Sequence, residues 1–530
     1  MTASSIQTKL IDLRERCKLY MFINKRKYRF YALWGLIIII AFSNCKKDGG
    51  GDDSFHVELS ATPHFVNFDH FGGVQFVEVN SNFSWRIESS SSEWCKPDVQ
   101  YGSGIATVSI SAHANLTSED RSASMTLIAN GAENITISIT QLGRPSIGPV
   151  VNVSDPDYTA PDNTGMRDLS SAELAQMMTL GWNLGNSLEA IIVNDGVLSG
   201  GETSWGNPAT TKTLVDAVKA AGFNVIRIPV AWSHKLVNQE TYEISVTWLS
   251  RVEQVVNYAL DNDMFVMINI HWDGGWMDAP VYVNQEAINY KLWVLWTQIA
   301  LHFRDYDDHL LFAGTNEVHV KDDYGIPSEE NAVVQSSFNQ TFVNAVRETG
   351  GRNAYRHLIV QAFNTNIDHA CNYFELPIDN VENKLMLEVH FYDPYDFTLE
   401  ESGTYKTEWG TDFTGGNVSD WGQEDWVNTA LGKMKVKFID QNIPVVMGEY
   451  GVILRANLTG DALTRHLQAR NYYLEYVTRA AITNGLVPVY WDNGHYGNNG
   501  MALFNRTTGA VEDAEALQAL VKGAAEEMKE

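Results

Sequence analysis

Beyond residue 178 the chain alternates between two patterns. Short, almost wholly apolar runs recur as "TLGWNLGN" (179–186), "NVIRIPV" (224–230), "FVMINIHW" (265–272), "LLFAGTNE" (310–317), "HLIVQAFN" (357–364), "LMLEVHFY" (385–392), "VVMGEYG" (445–451) and "LVPVYWDN" (486–493). Between them lie stretches with apolar positions every three or four residues. In "VTWLSRVEQVVNYAL" (246–260), Trp248, Val252, Val255, Val256, Ala259 and Leu260 share one helical face. Apolar strands alternating with amphipathic helices predict a parallel sheet covered by helices. Eight such units predict an α/β fold, a (β/α)8 TIM barrel over 170–530, with its active site at the C-terminal strand ends. Ser170 and Glu173 form a capping box that opens its first helix. A doubly wound sheet is the competing architecture, but no Gly-rich phosphate loop follows the first strand.

The pattern before the barrel has a different period. Residues 55–142 hold short runs of alternating polarity, among them "FSWRI", "ATVSISA" and "NITISITQL", separated by Gly, Asn and Ser. Period two with these turn residues predicts a small immunoglobulin-like antiparallel β-sandwich. Pro and Gly spaced through 143–169 predict a stiffened linker. At the front, basic "NKRKYRF" (24–30) precedes apolar "YALWGLIIIIAFS" (31–43) and then Cys45. An apolar run too short to span a bilayer predicts a secretory signal over 1–45. Residues 1–20 do not fit a signal, whereas Met21 would begin a normal one. The end at Cys45 resembles a bacterial lipoprotein signal, although Phe42 and Asn44 stand where Leu and a small residue are usual. That resemblance implies lipidation of Cys45, a flexible tether over 46–54, and a place on the cell outer membrane facing the exterior.

Composition narrows the partners. Among 530 residues the formal charge is −27, which argues against nucleic acid and suits a neutral substrate. Fifteen Trp and 22 Tyr are more than packing alone explains, and some are expected to line a cleft. Four scattered cysteines give no disulfide framework and no zinc spacing. The strand tips carry the chemistry. Arg227, His271, Asn316, Glu317, His390, Tyr392, Glu449 and Trp491 all fall at the ends of apolar runs. Burying so many polar tips without a use would be costly in desolvation. Glu388, two residues deeper than His390, is the main rival to the carboxylate pair.

The motifs "GWNLGNSLEA", "ETSWGNP", "IRIPVAW", "NIHWDGGW", "TNE", "EVHFYDP", "MGEYG" and "YWDNG" resemble, in order and spacing, glycoside hydrolase family five and within it the endo-glucanase subfamily four. The resemblance implies a retaining mechanism with two carboxylates about 5 Å apart. It implies Glu317 as acid/base and Glu449 as nucleophile, surrounded by Arg227, His271, Asn316, His390, Tyr392 and Trp491. Trp272 stands where many relatives carry a second His. Arg227 is expected to lower the Glu449 pKa, while Glu449 and His390 keep that of Glu317 raised. Asn316 is expected to meet the sugar 2-hydroxyl, and Trp491 to floor the distorted ring. No metal or cofactor is implied. The 55–142 stretch resembles the BACON module through Trp85, Trp94, Asn115, Arg121 and "ITISITQLG"; a spacer is the expected role and glycan binding the alternative.

The segment 393–426 carries Tyr395, Phe397, Tyr405, Trp409, Trp421 and Trp426. A loop this long in a compact domain is usually functional. It is expected to form an aromatic platform for a branched glucan, with Trp409 a principal contact and xyloglucan the preferred substrate. The alternatives are general endo-β-1,4-glucanase activity on cellulose-type or mixed-linkage glucan, then mannanase or xylanase activity. A surface glycan-binding protein without catalysis is a different class, and it would need neither Glu317 nor Glu449. A monomer is expected.

Overall fold

The computed structural model describes residues 57–68, 72–90, 94–112, 115, 119–143 and 159–525. The signal segment, Cys45, the tether and residues 144–158 lie outside the described residues.

The N-terminal module is built from two sheets. One orders Leu59–Thr62, Gly73–Ser81, Ala106–Ala112 and Cys95–Pro97; the other orders Phe65–Phe68, Ile135–Gln141, Arg121–Ala129, Ser84–Ser89 and Tyr101–Ser103. Alternate positions such as Val77, Val79, Trp85, Ile87, Val108, Ile110, Met125, Leu127, Ile137 and Ile139 are buried, as period-two patterning requires. The sheets are not wholly antiparallel, however. Phe65–Phe68 runs parallel to Ile135–Gln141 at the edge of its sheet, because the chain crosses from one sheet to the other after Leu59–Thr62 instead of turning back in a hairpin. Arg121 lies 4.4 Å from the Trp94 ring centre and donates to Gln141 Oε1 at 2.8 Å. Asn115 donates to the carbonyls of Glu119 and Leu142, so these motif residues hold the module's edge together.

Eight parallel strands close the barrel: β1 (Gly181–Leu184), β2 (Val225–Ile228), β3 (Phe265–Asn269), β4 (Leu310–Ala313), β5 (Leu358–Gln361), β6 (Leu385–Phe391), β7 (Val445–Tyr450) and β8 (Val487–Asp492). They pair in sequence order and β1 closes on β8. Helices α1 (Lys212–Ala220), α2 (Val246–Leu260), α3 (Tyr282–His302), α4 (Glu329–Glu348), α5 (Ile367–Tyr373), α6 (Glu424–Lys437), α7 (Gly460–Thr483) and α8 (Ala514–Ala525) follow the strands. In α2 the buried face is Trp248, Leu249, Val252, Val255, Val256 and Ala259. Before β1, the helix Ser171–Gln176 carries the expected capping box of Ser170 and Glu173. The barrel side of the expected linker is tied down rather than loose. Gly351 N donates to Thr159 O at 2.9 Å, and Arg167 pairs with Asp308 at 2.9 Å.

Alternation splits every strand between two cores. Outward residues such as Ile226, Ile268, Phe312, Val360, Leu387 and Met447 pack under the helices. Inward residues Val225, Met267, Leu311, Ile359, Met386, Val446 and Val489 fill the lower barrel together with Leu174 and Met178. One step further up, the same inward rows turn polar: Asn183, Arg227, Asn269, Gln361 and Glu388 are all buried. That polar layer is the floor of the site.

Candidate active site

Two residues above this floor stand Glu317, beyond the tip of β4, and Glu449, on β7. Glu449 reaches the interior through an irregularity. Pairing of β6 with β7 runs Val389–Met447 and then His390–Glu449, leaving Gly448 unpaired. A bulge adds one residue and re-aims the next side chain. Val446 and Glu449, three apart, therefore both point inward. The Glu449 side chain is 8% exposed and that of Glu317 is 37% exposed. One carboxylate is recessed and the other open to the cleft.

Arg227 and His390 bind the site together. Arg227 Nη1 donates to Glu449 Oε1 at 2.9 Å and to Asn183 Oδ1 at 3.0 Å. Its Nη2 donates to Asn316 Oδ1 at 2.7 Å. That bond fixes the amide of Asn316, because Arg227 demands the oxygen and the NH2 group is left for the cleft. His390 Nδ1 lies 2.6 Å from Glu317 Oε1 and 3.7 Å from Glu449 Oε2, while its Nε2 lies 3.2 Å from Glu388 Oε1. One polar atom from each of Glu317, His390 and Glu449 falls within 4.8 Å of the other two. Tyr392 donates its hydroxyl to Glu449 Oε2 at 3.1 Å.

With both ring nitrogens facing carboxylates, His390 is a strong cation. Burial works against its charge, but Glu449, Glu317 and Glu388 outweigh it and raise its pKa to about 9. The effect on the pair reverses the expectation from sequence. Burial raises Glu317, yet the hydrogen bond and charge of His390 prevail and hold it below the ordinary value. Glu449 is lifted above it by burial and by Glu317 and Glu388, against the pull of His390 and Arg227. The proton that the sequence placed on Glu317 thus lies in the Glu317–His390 hydrogen bond, on the imidazole side. His271 is pushed well below its usual pKa, first by burial and then by Arg227 and His390, and is neutral.

The walls are aromatic. Trp491 stacks on His271 with 5.8 Å between ring centres and 13° between planes. Gly185 admits it, since a Cβ there would sit 2.9 Å from the indole. A cavity of about 410 Å³ beside Glu317 is lined by Trp272, Asn316, His319 and Tyr324. Trp272 is 40% exposed, and its Nε1 donates to Asp278 Oδ2 at 2.9 Å, which anchors the indole in the cavity wall. A second cavity, of about 230 Å³, runs from Glu317 past Tyr392 and Tyr395 to Trp426.

One predicted contact is not there. Trp409 is fully buried; its Nε1 donates to Gly422 O at 2.7 Å, and Tyr473 meets it edge-on at 4.9 Å. It packs the loop against α7 and cannot touch a polymer. Phe397 is likewise buried, and Tyr405 lies 4.3 Å under Arg455. Exposed aromatic surface in 393–426 comes instead from Tyr395, Trp421 and Trp426. Among residues not singled out from sequence, Asn183, Asn269, Gln361, His319 and Tyr324 belong to the site. For the first three the signal was legible: a polar residue at the inward position of an apolar strand.

The barrel's arrangement agrees with its relatives. Residues 191–497 match the cellulase (glycosyl hydrolase family 5) model, and residues 83–142 match the BACON putative binding domain. A xyloglucan-specific endo-beta-1,4-glucanase of Bacteroides ovatus is 47% identical over 91% of this chain and 94% of its own. A solved xyloglucanase of that species, in complex with a XXXG heptasaccharide, superposes with a TM-score of 0.71, covering 88% of this chain and 100% of the other. A family 5 xyloglucanase from Paenibacillus pabuli is 40% identical, with a TM-score of 0.62 over 66% of this chain and 99% of its own. A broad-specificity endoglucanase from Ruminococcus champanellensis with bound cellotriose is 35% identical, with a TM-score of 0.59 over 67% and 99%. With an eight-stranded barrel, paired carboxylates at its mouth and relatives matched along nearly their whole length, the chain belongs to glycosyl hydrolase family 5 and carries a BACON domain ahead of the barrel.

Proposed function

We propose that this protein is a retaining endo-β-1,4-glucanase with xyloglucan as its preferred substrate. The observation that carries the reaction is the closeness of Glu317 and Glu449, with one oxygen of each lying within 4.8 Å of the other. Retaining pairs stand at about 5 Å, whereas inverting pairs need about 6.5–9.5 Å to admit a water. Recessed Glu449, held by Arg227 and Tyr392, attacks the anomeric carbon as the nucleophile. Glu317, open to the cleft, protonates the leaving oxygen and then activates water as base. Its proton is supplied along the 2.6 Å bond from His390. A polymer covering the cleft excludes water, and low polarity favours the neutral partition, a carboxylic acid beside a neutral imidazole. The NH2 of Asn316 meets the sugar 2-hydroxyl, a bond that strengthens as positive charge develops. Trp491 supports the ring. Asp273 and Asp492 take no part: they accept from backbone and indole N–H groups at Trp232, Ser233, Trp276, Trp182 and Leu503.

The substrate preference rests on the B. ovatus and P. pabuli relatives, whose names specify xyloglucan, and on two cavities that diverge from Glu317 and Tyr324. A branched chain occupies more lateral space than a bare one. Glu317→Gln and Glu449→Gln are each expected to lower turnover on xyloglucan by about a thousand-fold or more with folding and polymer binding intact. Activity within tenfold of wild type in either variant refutes the pair. We further propose that Cys45 is lipidated and anchors the enzyme at the outer membrane, which the signal-like segment and the polar tether support.

A further inference from the structure

Glu388 takes no step in the reaction above, yet it sits at the centre of the site's charge. It is fully buried on β6. Its Oε1 lies 2.9 Å from Arg227 Nε and 3.2 Å from His390 Nε2, and its Oε2 accepts from Gln361 Nε2 at 2.7 Å. The neighbouring strand is shaped around it: a Cβ at Gly448 would stand 2.1 Å from Glu388 Oε1. The unpaired position in β7 therefore has two effects, turning Glu449 inward and leaving space for a third carboxylate.

A purely structural role would be to neutralise buried Arg227. Glu449 already does so, and neutralising Arg227 does not require contact with His390. Charge counting suggests more. With the proton on His390, Arg227 and His390 are two cations facing three carboxylates, so the cluster carries one net negative charge. Removing the charge of Glu388 takes away one of the three carboxylates that face His390, so the imidazolium loses support and gives up its proton at lower pH. The neighbours of His390 are Glu317 beyond β4, Glu449 from β7, Glu388 from β6 and Tyr392 just past it, the opposing charge of Arg227 on β2, and neutral His271 beyond β3. Glu317 and Glu449 change charge during turnover. Glu388 does not, since Arg227 and His390 overcome the effect of its burial and hold it down to about 2.

We propose that Glu388 is a positioning residue that clamps Arg227 and His390 against the catalytic pair and, through its constant negative charge, sets the upper pH limit of catalysis. The proposal rests on the reading of Glu317 and Glu449 as that pair. Its test is Glu388→Gln in the full chain, which keeps the shape and removes the charge. Two readouts are taken: kcat and KM on xyloglucan from pH 4 to 10, and the ring titration of His390 by NMR on histidine-labelled protein. The alkaline limb and the His390 titration should both move down by about 1–2 pH units, the effect of one close charge. Turnover at pH 6 should fall about ten- to a hundred-fold with KM little changed, as misplaced groups cost turnover. An unmoved titration overturns the proposal, whatever happens to kcat. If the Gln variant does not fold, Gly448→Ala replaces it, because the added methyl drives Glu388 off His390; a downward titration supports the proposal and an unmoved one overturns it. A wild-type protein inactive on every β-glucan would defeat the functional reading instead, and the NMR titration would still decide the role of Glu388.

Discussion

The segment 393–426, which runs from the end of β6 into the first turn of α6, allows a paired test in which two of its tryptophans are truncated and should fail in different ways. Trp409 is fully buried, donates a 2.7 Å hydrogen bond to Gly422 O, and meets Tyr472, Tyr473 and Tyr476 at 5.6, 4.9 and 5.8 Å. Trp409→Ala therefore removes a whole aromatic from a packed core, at a cost of about 3–5 kcal/mol. For a barrel spanning 170–530, an unfolding entropy of about 2.1 cal/mol/K per residue sums to roughly 0.75 kcal/mol/K. The melting temperature should fall by about 4–7 °C. Trp426 is 39% exposed, is tethered by Nε1 to Asp393 Oδ2 at 2.9 Å, and lines the same cavity as Glu317. Trp426→Ala should leave melting within about 2 °C, since little packing is lost. It should cost instead about 1.5–3 kcal/mol of contact with a sugar face. That corresponds to a KM on xyloglucan raised about ten- to a hundred-fold, with a smaller effect on unbranched cello-oligosaccharides. Calorimetry and steady-state kinetics on both substrates separate the cases. An unchanged melting point for Trp409→Ala with a selective loss on xyloglucan would return Trp409 to the cleft. Equal losses on both substrates for Trp426→Ala would refute a branch-sensing cleft and leave a general β-glucanase.

Tyr392→Phe removes the hydroxyl that Glu449 Oε2 accepts from; about 1.5–3 kcal/mol for a bond to a charged group predicts a ten- to hundred-fold fall in kcat/KM, and a loss below threefold would mean that Tyr392 does not hold the nucleophile. His390 is raised in the fold to about 9, so the folded state binds more protons than the unfolded chain between about pH 6.5 and 9. Its contribution is complete below about pH 6.5 and is lost as pH rises through 9. Melting temperature should fall across that window and fall less in His390→Asn; identical slopes in the two proteins count against a charged His390. If Cys45 carries the proposed acyl anchor, Cys45→Ala should move the protein from the membrane fraction to the soluble one; continued membrane attachment argues for an uncleaved signal.

What the sequence conceals follows from how each residue is held. The barrel strands were legible because both of their faces are buried: Val225 faces the lower barrel while Ile226 faces the helices, so hydrophobicity alone marks them. Glu317 and Glu388 were legible as strand-end carboxylates, but their protonation was not. It depends on His390 meeting both at once, a contact that no spacing reveals. Glu449 shows the limit of alternation more sharply. Counting by twos from inward Val446 places residue 449 on the helix side, and only the extra residue at Gly448 turns it into the barrel. A motif finds such a residue where periodicity would discard it. Trp409 fails for the opposite reason: its segment lacks a regular period, so aromatic content read as a platform when half of it packs the loop. The rows that end in Asn183, Arg227, Asn269, Gln361 and Glu388 carry the more general signal. Each breaks an apolar strand at an inward position, and a buried polar residue there is stable only with a partner. Such breaks on neighbouring strands at one height imply that the residues are one another's partners. Period-two reading alone could therefore have located the charged floor of this site, and with it the place of Glu388, before any catalytic residue was assigned.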